Sequence, residues 1–261
     1  MILNALLQHV LITAAAACLG ALLLTPLVRR IALATGCIAR PTQDRWGRRV
    51  VARLGGLPIA GAFLAATAWG ASQDARLWGL LGGGIVMLGT GLADDFKQLH
   101  PYSKLISQII AGCLVVLAGT QMDVAILWLA LPLTIGWLVL VINAFNLMDN
   151  MDGLSAGIGL IAAALLIWHA VQANHEVIAI LLAALAGSTF GFLQYNLPPA
   201  KIFMGDTGSQ ILGLGLGGLA LLGASESSTH LLGILALPSL LLAVPIFDTL
   251  FVTVQRVFHG R

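Results

Sequence analysis

"NALLQHVLITAAAACLGALLLTPLVRR", residues 4–30, contains no Asp, Glu, Lys or Arg before Arg29. A helix crosses a bilayer with about 20 apolar residues, so this run is long enough to span one. It lacks a positively charged leader. The apolar run also continues past Cys18 to Val28, although "AAAC" faintly resembles a lipid-attachment site. It therefore reads as a first span that is retained, not as a cleaved signal. Further apolar runs follow at about 54–71, 77–92, 104–120, 124–142, 154–172, 176–194, 209–225 and 230–250. The third, "GLLGGGIVMLGTG", is short and glycine-rich, as suits close helix contact.

Composition agrees with this. The 261 residues are 59% hydrophobic and only 9% charged, with a mean hydropathy of +0.96. A water-soluble domain carries about a quarter charged residues, so that class is excluded. Cys18, Cys37 and Cys113 are odd in number and scattered, which excludes a disulfide framework or a CxxC metal pair. The expected fold is all-α: one integral-membrane domain over 1–261, a polytopic helical bundle of about nine transmembrane helices.

Alternate connections sort the charges. Arg29, Arg30, Arg40, Arg45, Arg48, Arg49, Arg53, Lys97, Lys104, Lys201, Arg256 and Arg261 fall on one side, and only Arg76 on the other. By the positive-inside rule the first side is cytoplasmic, with the N-terminus outside and the C-terminus inside. Asp44, Asp94, Asp95, Asp149, Asp152, Asp206 and Asp248 share that side. Acids contribute little to orientation, so their gathering asks for a functional reason.

Five stretches carry them. In "GLADDFKQLHPYSKLISQ", residues 91–108, Asp94 and Asp95 close a span. Adjacent carboxylates need a cation or a shared proton. In "YNLPPAKIFMGDTGS", residues 195–209, a glycine turn leads into a helix. Free N–H groups at a helix start suit phosphate, and Asp206 beside them suits a hard cation; the bland reading is an N-cap with Thr207 and Ser209. In "NAFNLMDNMDGLSAG", residues 143–157, Asn143, Asn146 and Asn150 would share a helical face, with Asp149 and Asp152 on the adjoining one. Gly153 would end that helix, and polar contact between helices is the alternative. "VPIFDTLFVTVQRVFHGR", residues 244–261, places Asp248 in the last span, where a structural pair with an arginine is as good a reading as a direct role. "RPTQDRWGRRVVARLGGLP", residues 40–58, is an anionic-lipid anchor, or offers Arg48 or Arg53 to a phosphate or nucleotide. No P-loop or GxGxxG reads correctly, and the histidines neither cluster nor pair with a serine motif. The inventory is that of Mg²⁺-assisted phosphoryl transfer.

The set "DD" after a span, "NAFNLMDNMDG", "FMGDTGS" and "PIFDT…R" resembles the polyprenyl-phosphate N-acetylhexosamine-1-phosphate transferases, glycosyltransferase family 4, from about residue 20 to 261. That family includes the phospho-N-acetylmuramoyl-pentapeptide transferase. The resemblance implies an enzyme of the bacterial inner membrane with its site facing the cytoplasm. It implies transfer of a sugar 1-phosphate, N-acetylglucosamine 1-phosphate in the favoured reading, from a UDP-sugar to undecaprenyl phosphate. UMP is released and a cell-envelope glycan, lipopolysaccharide or teichoic acid among them, is started. The implied cofactor is Mg²⁺, with Mn²⁺ as a substitute. The implied partners are donor, acceptor and membrane lipid, with no nucleic acid and with a homodimer allowed.

By family pattern Asp206 and Asn146 are the expected metal ligands. Asp94, Asp95, Asp152 and Lys104 form the expected catalytic set. Asn146, Asp149, Asn196, Phe203, Arg48 and Arg53 are expected on the substrates, with Phe203 stacking on uracil. Two features depart from the pattern. "DNMDG" has Asn150 where the family has glycine. The family also continues with a tenth span and a histidine loop where this chain reaches Arg261, and His259 does not replace it. The alternatives are the peptidoglycan transferase, a truncated non-catalytic homologue and, in another class, a transporter. A transporter would set its acids near the bilayer midplane.

Overall fold

The computed structural model describes residues 2–39, 50–120, 127–227, 236, 238–240 and 242–258. The first eight apolar runs are helices: α1 (Ile2–Thr35), α2 (Gly56–Gly70), α3 (Leu77–Lys97), α4 (Pro101–Leu117), α5 (Leu127–Met148), α6 (Leu154–Gln172), α7 (Glu176–Asn196) and α8 (Gly205–Ser227). The ninth expected span, 230–250, lies largely outside the described residues. Beyond it α9 (Ala243–Phe258) packs on α5 and carries a half-buried Asp248. Six helices among the described residues are long and apolar enough to cross a membrane. The molecule is a multi-pass helical membrane bundle.

Its axis is α8. The apolar window of this helix is 100% buried, and α2, α3, α5, α6 and α7 all pack on it. Small residues permit such crowding, because lipid gives helices no hydrophobic reason to associate and close backbone contact must supply the attraction. A Cβ on Gly91 of α3 would stand 2.5 Å from Thr207 Cα at the start of α8, so only glycine fits this crossing. On α7, Gly187 and Gly191 are one turn apart and face the backbone of α1 at Ala14 and Cys18.

The helices outrun the apolar runs at the end that holds the acids. α3 continues to Lys97, enclosing Asp94 and Asp95 in its last turns. α8 begins at Gly205, four residues before the expected start, so Asp206 sits in its first turn. α5 stops at Met148, which corrects the expected helix through Asn150. Asn150 is then an exposed turn residue and leaves the face shared by Asn143 and Asn146.

One element escaped the hydropathy pattern. β1 (Ile38–Ala39) and β2 (Val51–Ala52) pair antiparallel, in the register Ile38 with Ala52 and Ala39 with Val51. Ala52 also bridges to Ile202. Phe203 N–H donates to Ala52 O at 2.8 Å, Gly55 N–H to Phe203 O at 3.0 Å and Gly56 N–H to Met204 O at 2.8 Å. This lacing fixes the strand-like approach into α8.

Candidate active site

Asp206 stands at the head of the central helix, where the first backbone N–H groups have no partner within the helix. Asp95 supplies one from α3. Its Oδ1 accepts from Asp206 N at 2.9 Å, and its Oδ2 accepts from Thr207 N at 3.2 Å and Thr207 Oγ1 at 2.7 Å. A buried carboxylate at a helix N-terminus is stabilised by those donors and by the positive end of the helix dipole. Gly205 takes φ +73°, and a Cβ there would meet Asp95 Oδ1 at 2.5 Å. The glycine turn thus lets a neighbouring helix cap α8 with a side chain. Asp95 faces the backbone of α8 rather than open space.

Asp94, its neighbour, points elsewhere. Its Oδ1 accepts from Leu99 N at 2.7 Å, which closes the turn after α3. Its Oδ2 accepts from Lys104 Nζ at 3.2 Å, and the same ammonium donates to Asp206 Oδ2 at 2.7 Å. Lys104 is carried by α4, whose start is fixed by Pro101 in the first turn. Asn146 on α5 donates Nδ2 to Ser209 Oγ at 3.0 Å, at the head of α8, whose first turn holds Asp206. Four helices therefore converge on one point: α3 with Asp94, α4 with Lys104, α5 with Asn146 and α8 with Asp206.

Two carboxylates and one ammonium leave this group one negative charge in excess. Such a cluster attracts a further cation. Among the described residues no three His, Cys, Asp or Glu side chains converge as a metal cage. Mg²⁺ needs none, because one or two carboxylates plus water and substrate phosphate usually hold it. The donor set of Asp94, Asp206 and the Asn146 amide oxygen fits that chemistry.

The remaining expected residues form a second neighbourhood. Asp152 Oδ2 accepts from Ala200 N at 2.9 Å. Asn196 is buried; its Oδ1 accepts from Gly153 N at 3.0 Å and its Nδ2 donates to Ile202 O at 3.0 Å. Both side chains clamp the turn after α5 to the loop after α7. Asn196 thus spends its amide on the backbone. Asp149 follows the end of α5 and is half-buried, as is Phe203 in the laced segment before α8. Arg53 lies on the hairpin, half-buried, with its backbone N–H donating to Cys37 O at 3.0 Å. Beside it the Cys37 thiol donates to Asp95 O at 3.3 Å, and burial and then the charge of Asp95 push that thiol up. Arg48 lies outside the described residues. Asn143 turns away from the charged group and pairs with Gln108 on α4, which is the helix-bridging role. Gln108 and Gln210 belong to no motif. The signal that marks them is a lone amide inside an apolar span.

Residues 77–224 match the family model described as Glycosyl transferase family 4. The "Probable undecaprenyl-phosphate N-acetylglucosaminyl 1-phosphate transferase" of Bacillus subtilis is 36% identical over 254 residues, covering 93% of this chain and 70% of that protein. The "Decaprenyl-phosphate N-acetylglucosaminephosphotransferase" of Mycolicibacterium smegmatis is 32% identical, covering 90% of this chain and 67% of that protein. A "Phospho-N-acetylmuramoyl-pentapeptide-transferase" of Halalkalibacterium halodurans is 34% identical over 63% of this chain and 54% of its own length. The chain belongs to glycosyl transferase family 4.

Proposed function

We propose that this member of glycosyl transferase family 4 transfers N-acetylglucosamine 1-phosphate from UDP-N-acetylglucosamine to a polyprenyl phosphate, undecaprenyl phosphate in the favoured case. An oxygen of the lipid phosphate bonds to the β-phosphorus of the donor. The bond from that phosphorus to the bridging oxygen breaks, and UMP leaves with the electron pair. The convergence of Asp94, Lys104, Asn146 and Asp206 at the head of α8 carries this reading. The names of the Bacillus and Mycolicibacterium relatives, which match over nine-tenths of the chain, favour the N-acetylglucosamine donor over the muramoyl-pentapeptide one.

Two phosphate groups must approach each other and a cluster that already holds an excess negative charge. Lys104 lowers that repulsion from the protein side, within reach of both carboxylates. Mg²⁺, held by Asp94, Asp206 and the oxygen of Asn146, would neutralise phosphate charge at the same point. Asp95 keeps the head of α8 in place, so Asp206 and the neighbouring backbone are pre-oriented for the ligand. Asp152 and Asn196 keep the flanking loops together, and Asp149 and Phe203 border the region in which the nucleotide is proposed to lie. The basic residues of this end, Arg29, Arg30, Arg53, Lys97 and Lys201 among them, support a cytoplasmic location for the site in a bacterial inner membrane.

The test supplies the purified chain with Mg²⁺, undecaprenyl phosphate and, in separate reactions, UDP-N-acetylglucosamine or UDP-muramoyl-pentapeptide. The lipid product is then extracted and weighed by mass spectrometry. Undecaprenyl diphosphate bearing N-acetylglucosamine supports the proposal. The muramoyl product alone would move the chain to the peptidoglycan branch.

A further inference from the structure

Beneath the charged group lies a second polar layer. Lys104, Asn146 and Asp206 sit on α4, α5 and α8. One helical turn deeper, on the same three helices, sit Gln108, Asn143 and Gln210. Asn143 Nδ2 donates to Gln108 Oε1 at 2.6 Å, and Gln108 Nε2 donates back to Asn143 Oδ1 at 3.3 Å. Gln210 is fully enclosed, at 0% exposure, and donates Nε2 to Asp206 Oδ2 at 3.3 Å. Its Oε1 is buried and has no partner among the described residues. α4 and α8 each pack on α3 and on α5, so they face one another across the interval between those helices. Lys104 spans that interval at its upper edge to reach Asp206.

An amide oxygen at this depth finds no donor in lipid, and leaving it unsatisfied destabilises the fold. A methionine of the same length would carry no such penalty. What the amide does make is a directed contact on the Asp206 oxygen that Lys104 also holds. Two donors on one oxygen, Lys104 from α4 and Gln210 from within α8, restrict how the carboxylate can turn.

We propose that Gln210 is a positioning residue for Asp206, with a buried water completing its Oε1. What Asp206 then does rests on the transferase reading above. The coupling of Gln210 to Asp206 does not.

The experiment uses Gln210→Met, Asp206→Asn and the double variant of the full chain in detergent. Melting temperatures without substrate form a double-mutant cycle. The single effects are expected to fail to add by about 2–4 °C. In the transfer assay Gln210→Met is expected to lower kcat about tenfold while the donor KM stays within twofold, the mark of an interaction made in the transition state. A merely structural glutamine would shift the melting temperature alone. Additive melting shifts overturn the proposal, as does an unchanged kcat in a coupled cycle. If the wild-type chain transfers nothing, the transferase reading fails and the cycle alone decides the proposal. Gln210→Leu stands in if Gln210→Met does not fold.

Discussion

In Asp95→Asn, the oxygen that accepts from Thr207 N and Thr207 Oγ1 becomes an NH2 donor, or else the flipped amide turns that donor on Asp206 N. One orientation or the other leaves a buried N–H facing an N–H. Losing an N-cap acceptor costs about 1–2 kcal/mol, and stranding a buried donor about 1–3 kcal/mol. The removed charge also faced the positive end of the α8 dipole, worth up to about 2 kcal/mol in a partly buried setting. These effects share atoms and do not add, so a net loss of about 3 kcal/mol is expected. At about 2–4 °C per kcal/mol for a chain of this size, the melting temperature should fall by about 6–12 °C. The assay is thermal unfolding in detergent followed by tryptophan fluorescence, with Asp94→Asn alongside. Asp94 accepts from Leu99 N and from the Lys104 ammonium that it shares with Asp206, and does not cap α8, so its variant should lose turnover with the smaller melting shift. A melting temperature within about 1 °C of wild type in Asp95→Asn would refute the capping role. A loss of turnover without a loss of stability there would make Asp95 a chemical group instead.

Lys104→Met leaves Asp94 and Asp206 facing each other without their shared ammonium; turnover should fall at least about a hundredfold, read as UMP release. Gly91→Ala pushes a methyl against the backbone of Thr207 and should cost about 1–3 kcal/mol, seen as a lower melting temperature together with lower kcat. At the opposite end, Asp74 accepts from Arg76 Nε and Nη2, and that hydrogen bonding holds its carboxyl below the ordinary carboxylate range. A lowered folded pKa contributes stability above the ordinary value of about 3.9 and loses it as pH falls through the folded value. Asp74→Asn should therefore keep full turnover and melt slightly lower at pH 7, with the gap to wild type beginning to close only as pH falls below about 4.

Much of this was legible in the linear chain, and what was not has physical reasons. Spans were legible because lipid demands long apolar runs. Their ends were not, because a helix does not stop where its apolar run stops; Asp94, Asp95 and Asp206 are held in helical turns that hydropathy leaves out. The two-residue strands β1 and β2 are too short to show a period. The acids, the lysine and Asn146 could be picked out as one chemical set. Adjacent positions on a helix differ by about 100°, so Asp94 and Asp95 look equivalent in sequence and yet face Lys104 and the backbone of α8 respectively. Asn143 and Asn146 share a face but not a partner: one meets Gln108, the other Ser209 at the head of α8. Asn196 and Asp152 were readable as polar residues near the site, but the backbone groups that join them, Gly153 N and Ala200 N, each lie more than 40 residues from the side chain that accepts them.

The most direct test of the central claim is UMP release from UDP-N-acetylglucosamine by the purified chain and by Asp206→Asn, with undecaprenyl phosphate and Mg²⁺ each supplied or withheld. Release that requires lipid, metal and Asp206 together is the expected result. Release that persists in Asp206→Asn, or no release from a wild-type chain that still binds the UDP-sugar, would contradict it.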